Sequence, residues 1–224
     1  MSPWLPIGHS LGASRVNAIV ARSASSAILP AGGIKFGEPN TGFGRFNDLL
    51  RKLPWPNFPS YKNVYESGHD SVTDLPEFVP LAFPYEAPYE RTIVSAAPWS
   101  ADPDLLFKYH HAELYQAGIL KLNPLPVIGN VTPLDAINLI VAQYNDPTSV
   151  TWDFYDDGPD DGIVWGMKVV NGTMVFSFRG SKTLEDFRRD GEFFWQNDRD
   201  IGPIELGFNA GMHYVWEEMQ SLLK

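Results

Sequence analysis

The pentapeptide Gly8-His9-Ser10-Leu11-Gly12 has the G-x-S-x-G pattern and lies close to the first residue of the sequence. Where this pattern forms a nucleophile elbow, a strand leads into the serine and a helix leads out, because the sharp turn lifts the hydroxyl clear of the sheet. Residues 4–7, which include Pro6, supply a short candidate strand, and small and apolar residues at helical spacing predict a helix over residues 13–23. A central strand needs a neighbour on each side, so we expect both neighbours to come from later in the chain.

The composition favours one globular domain with a sizeable core. The chain has 224 residues, of which 44% are hydrophobic, and a formal net charge of -10. This charge argues against a nucleic-acid partner, since nonspecific affinity for phosphates comes from lysines and arginines. No stretch approaches the roughly 20 apolar residues of a membrane span, and the first residues lack the pattern of a signal peptide. We therefore expect a soluble protein with no transmembrane segment.

The first half of the chain mixes strand and helix patterns. Residues 33–37 and 62–66 are short runs with apolar alternation, which predict strands. Between them Phe46, Leu49 and Leu50 fall at helical spacing. Prolines then recur every few residues from 75 to 103, which predicts a long surface loop.

The second half has clearer signals. Thr132-Pro133-Leu134-Asp135 combines a capping threonine, a proline at the first helical position and an acid in the first turn, which predicts the start of a helix. Asn171-Gly172 separates two apolar runs, residues 163–170 and 173–178, which predicts a β-hairpin. A last helix is predicted by apolar residues on one face, namely Phe208, Met212, Val215, Met219 and Leu222. Strands mixed with helices predict an α/β protein.

Several segments beyond the pentapeptide match one known pattern. They are Gly8 to Ala13, Phe36 to Gly42, His69 to Pro76, His111 to Tyr115, Phe178-Arg179-Gly180-Ser181 with Phe187 and Asp190 after it, and Leu206-Gly207-Phe208. Together these segments resemble the class 3 lipases of fungal type, and the resemblance covers most of the chain. It implies an α/β-hydrolase-type sheet flanked by helices.

The order of the segments differs from that of the family, which places the oxyanion segment before the elbow. Joining Lys224 back to Met1 restores the family order, so the resemblance implies a circularly permuted class 3 lipase topology. Such a permutation is physically permissible, because the termini of compact domains commonly lie on the surface and close together. We expect a single domain over residues 1–224, with the elbow, acid and histidine in 1–120, the join in 121–131, and the hairpin and oxyanion segment in 132–224.

The resemblance also implies a catalytic triad. Ser10 would attack an ester carbonyl, His111 would accept its proton, and Asp70 would hold the imidazole in the required tautomer. Two alternatives stay open at this stage, because His110 lies directly beside His111 and Asp74 follows Asp70 closely. The match to the family pattern favours Asp70, and the spacing to the tyrosine that follows favours His111.

A tetrahedral intermediate needs donors aimed at its oxygen. The residue after the nucleophile, Leu11, is expected to supply a backbone N–H, and the resemblance implies that Ser181 supplies the second donor with Asp190 orienting it. No cofactor is expected. No metal site is expected either, since the acidic run at residues 156–161 fails the spacing of a calcium loop and the chain has no cysteine.

The expected function is that of a serine carboxylic-ester hydrolase, a lipase or esterase acting on a small-molecule or lipid ester through an acyl-enzyme. The alternative is a catalytically inactive hydrolase-fold module with a binding or structural role. Pro6 keeps that alternative open, because proline cannot donate to a sheet ladder. A monomer is expected by default, and a domain-swapped dimer arises if the first strand pairs with the sheet of another copy.

Overall fold

The computed structural model describes residues 2–26, 28–42, 44–54, 57–66, 68–74, 90–98, 108–158, 163–181, 195–205, 209 and 211–224. These residues form a mixed eight-stranded sheet flanked by helices, so the predicted α/β class is confirmed. Phe187, Asp190 and the Leu206-Gly207-Phe208 segment lie outside the described residues.

The main sheet runs in the order β4-β3-β2-β1-β8-β7-β6, and β5 also pairs with β3. A separate antiparallel pair joins β9 to β10. The strands are β1 (Trp4–His9), β2 (Ile34–Phe36), β3 (Ser60–Tyr65), β4 (Gly68–His69), β5 (Thr92–Val94), β6 (Phe154–Asp156), β7 (Trp165–Val170), β8 (Thr173–Phe178), β9 (Trp195–Asp198) and β10 (Gly202–Glu205).

Strand β1 is central and parallel to both of its neighbours. It pairs with β2 from Ile7↔Ile34 onward and with β8 from Trp4↔Met174 onward. The expectation that both neighbours come from later in the chain is therefore confirmed. The predicted hairpin is confirmed as well, since β7 and β8 are antiparallel and meet at Asn171-Gly172.

Pro6 does not interrupt this central strand. The Trp4 carbonyl accepts a hydrogen bond from the Ala31 N–H at 2.9 Å, on the β2 side, and Pro6, two residues later, faces the same side. The paired residues of β1 and β2 begin at Ile7↔Ile34, so no residue of β2 pairs with Pro6 itself. The missing N–H of Pro6 thus falls before the first paired residues of β1 and β2.

The described helices include one for each helical pattern in the sequence, together with Ala112–Ile119, which no sequence pattern predicted. They are α1 (Leu11–Ser26), α2 (Arg45–Arg51), α3 (Ala112–Ile119), α4 (Pro133–Asn145) and α5 (Met212–Leu222). At the start of α4 the Thr132 hydroxyl accepts from the Asp135 N–H at 3.1 Å, and the Asp135 carboxylate accepts from the Thr132 N–H at 2.9 Å, which is a capping box. Among the described helices, none has the length and apolar character needed to cross a lipid bilayer.

Side chains alternate across the sheet, and this alternation divides them between two apolar cores. Helices α1, α2 and α5 cover one face, against strand residues that include Trp4, Trp165, Phe176 and Phe178. Helices α3 and α4 cover the other face, against strand residues that include Leu5, Ile7, Ile34, Phe36 and Val175. The carboxyl ends of β1, β2 and β8 meet at one edge of this layered structure, where the candidate site lies.

Candidate active site

Ser10 lies at the turn between β1 and α1 and has a backbone φ of 58°. A positive φ is uncommon for a residue other than glycine and costs free energy that the surrounding structure must offset. The turn is held by two backbone hydrogen bonds: the Ser10 N–H donates to the Phe36 carbonyl at 3.0 Å, and the Ser10 carbonyl accepts from the Ala13 N–H at 2.9 Å. Ser10 therefore has the strand, turn and helix that the pentapeptide predicts.

The two glycines of the pentapeptide are required by close backbone approach. A Cβ atom on Gly8 would overlap the carbonyl oxygen of Gly12, and a Cβ atom on Gly12 would overlap the carbonyl oxygen of Phe178 at the end of β8. Any larger residue at either position would push α1 away from the ends of β1 and β8. The two glycines of the motif thus allow the first turn of α1 to pack directly against the ends of β1 and β8.

A buried carboxylate and a buried imidazole form a pair near this turn. Asp70 follows β4 and is 0% exposed, and its Oδ2 atom lies 2.6 Å from Nδ1 of His110. The same oxygen accepts a short hydrogen bond from the Tyr115 hydroxyl, and Oδ1 accepts from the Val72 N–H at 3.0 Å. These contacts fix the carboxylate. Because the carboxylate contacts Nδ1 of His110, Nε2 is the ring nitrogen that faces away from Asp70.

The expectation that His111 pairs with the acid is wrong. The structure places His110 against Asp70, whereas His111 is the N-cap residue of α3 and is half-buried. Adjacent residues send their side chains in different directions, and the start of α3 decides which of the two points inward. Spacing along the chain does not contain this information.

Of the two acids, the structure brings Asp70 and not Asp74 to the histidine. Asp74 pairs with Lys62 Nζ at 2.6 Å and with His69 Nε2 at 2.8 Å, near the surface. Burial alone would raise the pKa of Asp74, but the hydrogen bonds and charges of Lys62 and His69 hold it below its usual value. Asp74 is therefore part of a separate ion-pair cluster.

The end of β2 brings the serine turn and the acid–histidine pair together. Phe36 accepts the hydrogen bond from the Ser10 N–H, and the next residue, Gly37, lies against the pair. A Cβ atom on Gly37 would lie 2.8 Å from Cε1 of His110 and 3.0 Å from Oδ2 of Asp70. Three segments distant in sequence thus converge at the carboxyl edge of the sheet.

His9, the last residue of β1, is hydrogen-bonded to the backbone of His110 and to Tyr144. Its Nε2 lies 2.7 Å from the His110 carbonyl, its Nδ1 lies 3.0 Å from the Tyr144 hydroxyl, and that hydroxyl lies 3.0 Å from the Gly180 N–H. Burial, followed by the charge of neighbouring His110, holds the pKa of His9 well below its usual value, so the ring is neutral.

Only one set of proton positions satisfies this chain of hydrogen bonds. A carbonyl only accepts, so His9 Nε2 carries the proton and the unprotonated Nδ1 accepts from the Tyr144 O–H. A backbone N–H only donates, so Gly180 donates to the Tyr144 oxygen. Burial raises the pKa of Tyr144, which keeps its hydroxyl protonated as a donor. This His9–Tyr144 relay links the backbone of His110 to the segment that follows β8.

Sequence reasoning missed the relay. The G-x-S-x-G pattern allows any residue at position 9, so it gives His9 no role, and Tyr144 lies in a predicted helix that carries no site residue. Tyr144 is indeed on α4, but its hydroxyl reaches the Gly180 N–H across the end of the sheet. A polar atom at the tip of a side chain on an apolar face is a signal that spacing alone does not reveal.

Leu11 belongs to the elbow, and Gly180, the residue before Ser181, packs against it. Leu11 is the first residue of α1, so its N–H belongs to the helix N-terminus, where backbone donors favour negative charge. A Cβ atom on Gly180 would lie 2.6 Å from the Cβ of Ser10, so the backbone leading to Ser181 packs against the serine. Ser181 itself is half-buried, and Asp190 lies outside the described residues.

We predict that Asp70→Asn lowers kcat for the ester hydrolysis expected from the sequence by about three to four orders of magnitude, because an amide no longer fixes the imidazole tautomer. Asp74→Asn, the matched control, should change kcat by less than about tenfold, since Asp74 bonds Lys62 and His69 instead. Steady-state kinetics of both variants measure this. A larger loss in Asp74→Asn would transfer the role to that acid.

We predict that Tyr144→Phe lowers kcat by about tenfold, with a smaller change in KM, because the lost hydroxyl leaves the Gly180 N–H and His9 Nδ1 without their shared partner. Tyr214→Phe is the control, since Tyr214 is 71% exposed on α5. Kinetics of both variants measure the effect. Equal activity in Tyr144→Phe and the wild type would show that the relay does not position the oxyanion segment.

Among the described residues, no group of three or more histidine, aspartate or glutamate side chains is arranged to hold a metal ion. Comparisons of the chain with protein families, with curated proteins and with solved structures each found no match. The chemistry of the site is therefore argued from its geometry.

Proposed function

We propose that the chain is a serine carboxylic-ester hydrolase in which Ser10 is the nucleophile, His110 the general base and Asp70 the residue that orients His110. The observation that carries this proposal is the convergence of a serine at positive φ with a buried Asp70–His110 pair at one edge of the sheet. Nucleophile, base and orienting acid are the three roles that acyl transfer requires. A small-molecule or lipid ester is the proposed substrate class.

The order of events follows from the orientation of His110. Its Nδ1 is held by Asp70, so Nε2 accepts the proton as the Ser10 oxygen attacks the ester carbonyl. The same nitrogen then donates the proton to the oxygen of the leaving alcohol. The alcohol departs, and the acyl group remains bonded to Ser10 as an acyl-enzyme. Water then attacks the carbonyl carbon of the acyl-enzyme while His110 accepts its proton, and the carboxylic acid is released from Ser10. Asp70 stabilises the imidazolium in both halves of the cycle.

The oxyanion of each tetrahedral intermediate is proposed to bind between the Leu11 N–H and Ser181. Each such donor is worth about 2.7–4 kcal/mol of transition-state stabilisation. The N-terminus of α1 adds a favourable dipole at the same point. Tight packing of Gly180 against Ser10 supports the placement of the second donor.

We also propose that the fold is of the α/β-hydrolase type with a circularly permuted class 3 lipase topology. The strand, serine turn and helix of the elbow support the hydrolase type. The permutation is supported by the position of β8, which is parallel to β1 although it lies far away in sequence. The segment after β8 therefore reaches the elbow from the opposite end of the chain.

Hydrolysis of a series of p-nitrophenyl esters of increasing acyl length tests the proposed function. The purified protein should release p-nitrophenolate with saturation kinetics on at least one ester, and the preferred acyl length indicates whether small or lipid-like esters are favoured. A folded protein that releases no more product than buffer on every ester would contradict the proposal.

A further inference from the structure

A second cluster of reactive side chains lies between β2 and α1, apart from the candidate active site. Lys35 is on β2, Glu38 follows that strand, and Asn17 is in the middle of α1. Each is only 1% exposed. Charged side chains are almost never buried this fully unless they are paired, so the arrangement of the three groups has to compensate their loss of hydration.

The cluster is oriented by complementary hydrogen bonds. Lys35 Nζ donates to Asn17 Oδ1 at 2.9 Å and lies 3.4 Å from Oε2 of Glu38. Asn17 Nδ2 donates to the other oxygen of Glu38 and also to Thr41 Oγ1 at 3.2 Å. Ser60 Oγ donates to Glu38 Oε2 at 2.8 Å. The carbonyl side of the amide thus faces an amine, and its NH₂ side faces a carboxylate.

These are the components of amide aminolysis. An unprotonated amine is a nucleophile towards a carbonyl carbon, and burial lowers the pKa of Lys35 to about 8, although the nearby charge of Glu38 opposes this shift. A carboxylate in contact with both nitrogen atoms provides a route for protons from the amine to the leaving group. Reactants that are held together in one orientation react as if they were present at a very high concentration.

We propose that Lys35 and Asn17 become joined by an isopeptide bond, with Glu38 transferring the protons. Glu38 accepts a proton from the Lys35 ammonium, and the freed Nζ lone pair forms a bond to Cγ of Asn17. Glu38 then donates its proton to Nδ2 as the Cγ–Nδ2 bond breaks. Ammonia leaves, and it carries off as ammonium the second proton lost by Nζ. The step needs no oxidant, reductant or added cofactor.

The bond would connect two elements that support the serine turn. Helix α1 begins directly after Ser10, and β2 ends at Phe36, whose carbonyl accepts the hydrogen bond from the Ser10 N–H. A covalent link between Asn17 and Lys35 would therefore hold the helix and the strand on both sides of this turn. Ser10 and His110 take no part in its formation, so the inference does not depend on the proposed function.

The intact mass of the wild-type protein tests the proposal after incubation at a pH of about 9, one unit above the pKa of Lys35 of about 8. We expect a species lighter than the sequence mass by one ammonia. Because trypsin does not cleave after an acylated lysine, the digest should contain residues 16–22 covalently joined to residues 23–45. The full sequence mass, with residues 16–22 and 23–35 recovered as separate peptides, would overturn the proposal.

Two controls separate this bond from other reactions. The Asn171-Gly172 pair also loses ammonia when it forms a succinimide, but that product joins no peptides; a mass loss mapped to residue 171 alone would overturn the proposal. Lys35→Met should keep the full mass, and Glu38→Gln should form the joined peptide at least tenfold more slowly. Joining at the wild-type rate in a folded Glu38→Gln protein would refute the role of Glu38. Since mass is the readout, failure here is distinct from failure to hydrolyse esters.

Discussion

Replacing Ser10 with alanine is expected to lower kcat for the proposed ester hydrolysis by about four to six orders of magnitude, the loss that follows when a nucleophile is removed from a catalytic triad. The remaining donors of the site cannot form an acyl-enzyme, so only a small rate above buffer survives. Kinetics on the preferred p-nitrophenyl ester measure the loss. Ser14→Ala is the matched control, because Ser14 is a buried serine one turn further along α1 and its hydroxyl faces the Pro39 carbonyl.

The backbone at Ser10 requires a second variant. Alanine at a φ of 58° retains the strain of the elbow, whereas glycine adopts this conformation without it. Ser10→Gly should therefore fold at least as stably as Ser10→Ala and lose the same activity. Activity within tenfold of wild type in either variant would remove Ser10 from the mechanism.

Replacing His110 with alanine is expected to lower kcat by about four to six orders of magnitude, whereas His111→Ala changes it by less than about tenfold. His110 is buried and its Nδ1 lies 2.6 Å from Asp70, while His111 is at the N-cap position of α3 and makes no side-chain capping hydrogen bond there. The two residues are adjacent and carry the same side chain, so each variant serves as the control for the other. The same ester kinetics measure both.

The design leaves the His9 relay in place. His9 donates to the backbone carbonyl of residue 110, which alanine retains, so the loss in His110→Ala reports the imidazole and not the relay. Circular dichroism of both variants checks that each is folded. The opposite ranking, with the large loss in His111→Ala, would show that the histidine nearest Asp70 in the structure is not the base.

The centre of the sheet could be predicted because its signals are local. The spacing of Gly8 and Gly12 around Ser10 requires a turn in which helix and strand approach closely, and the structure has that turn. The Asn171-Gly172 pair and the Thr132 cap depend on a few neighbouring residues as well. The partners of β1 also followed, since a central strand near one end of the chain requires neighbours from elsewhere.

The rest of the site depends on side-chain direction and on contacts distant in sequence. Whether His110 or His111 faces the acid is decided by where α3 begins, which spacing does not determine. The Tyr144 hydroxyl accepts a hydrogen bond from the N–H of Gly180, which lies 36 positions later in the chain. No sequence pattern at either residue indicates this contact. Lys35 lies in a short apolar run, where a lysine gives no sign that it is buried against Glu38.

The site of covalent modification by a fluorophosphonate tests the central claim most directly, because this reagent reacts with a serine only when a base activates it. The account predicts one adduct per protein, mapped by peptide mass spectrometry to Ser10, and no adduct in His110→Ala under the same conditions. A wild-type protein that is folded but forms no adduct, or one that carries the adduct on another residue, would contradict the account.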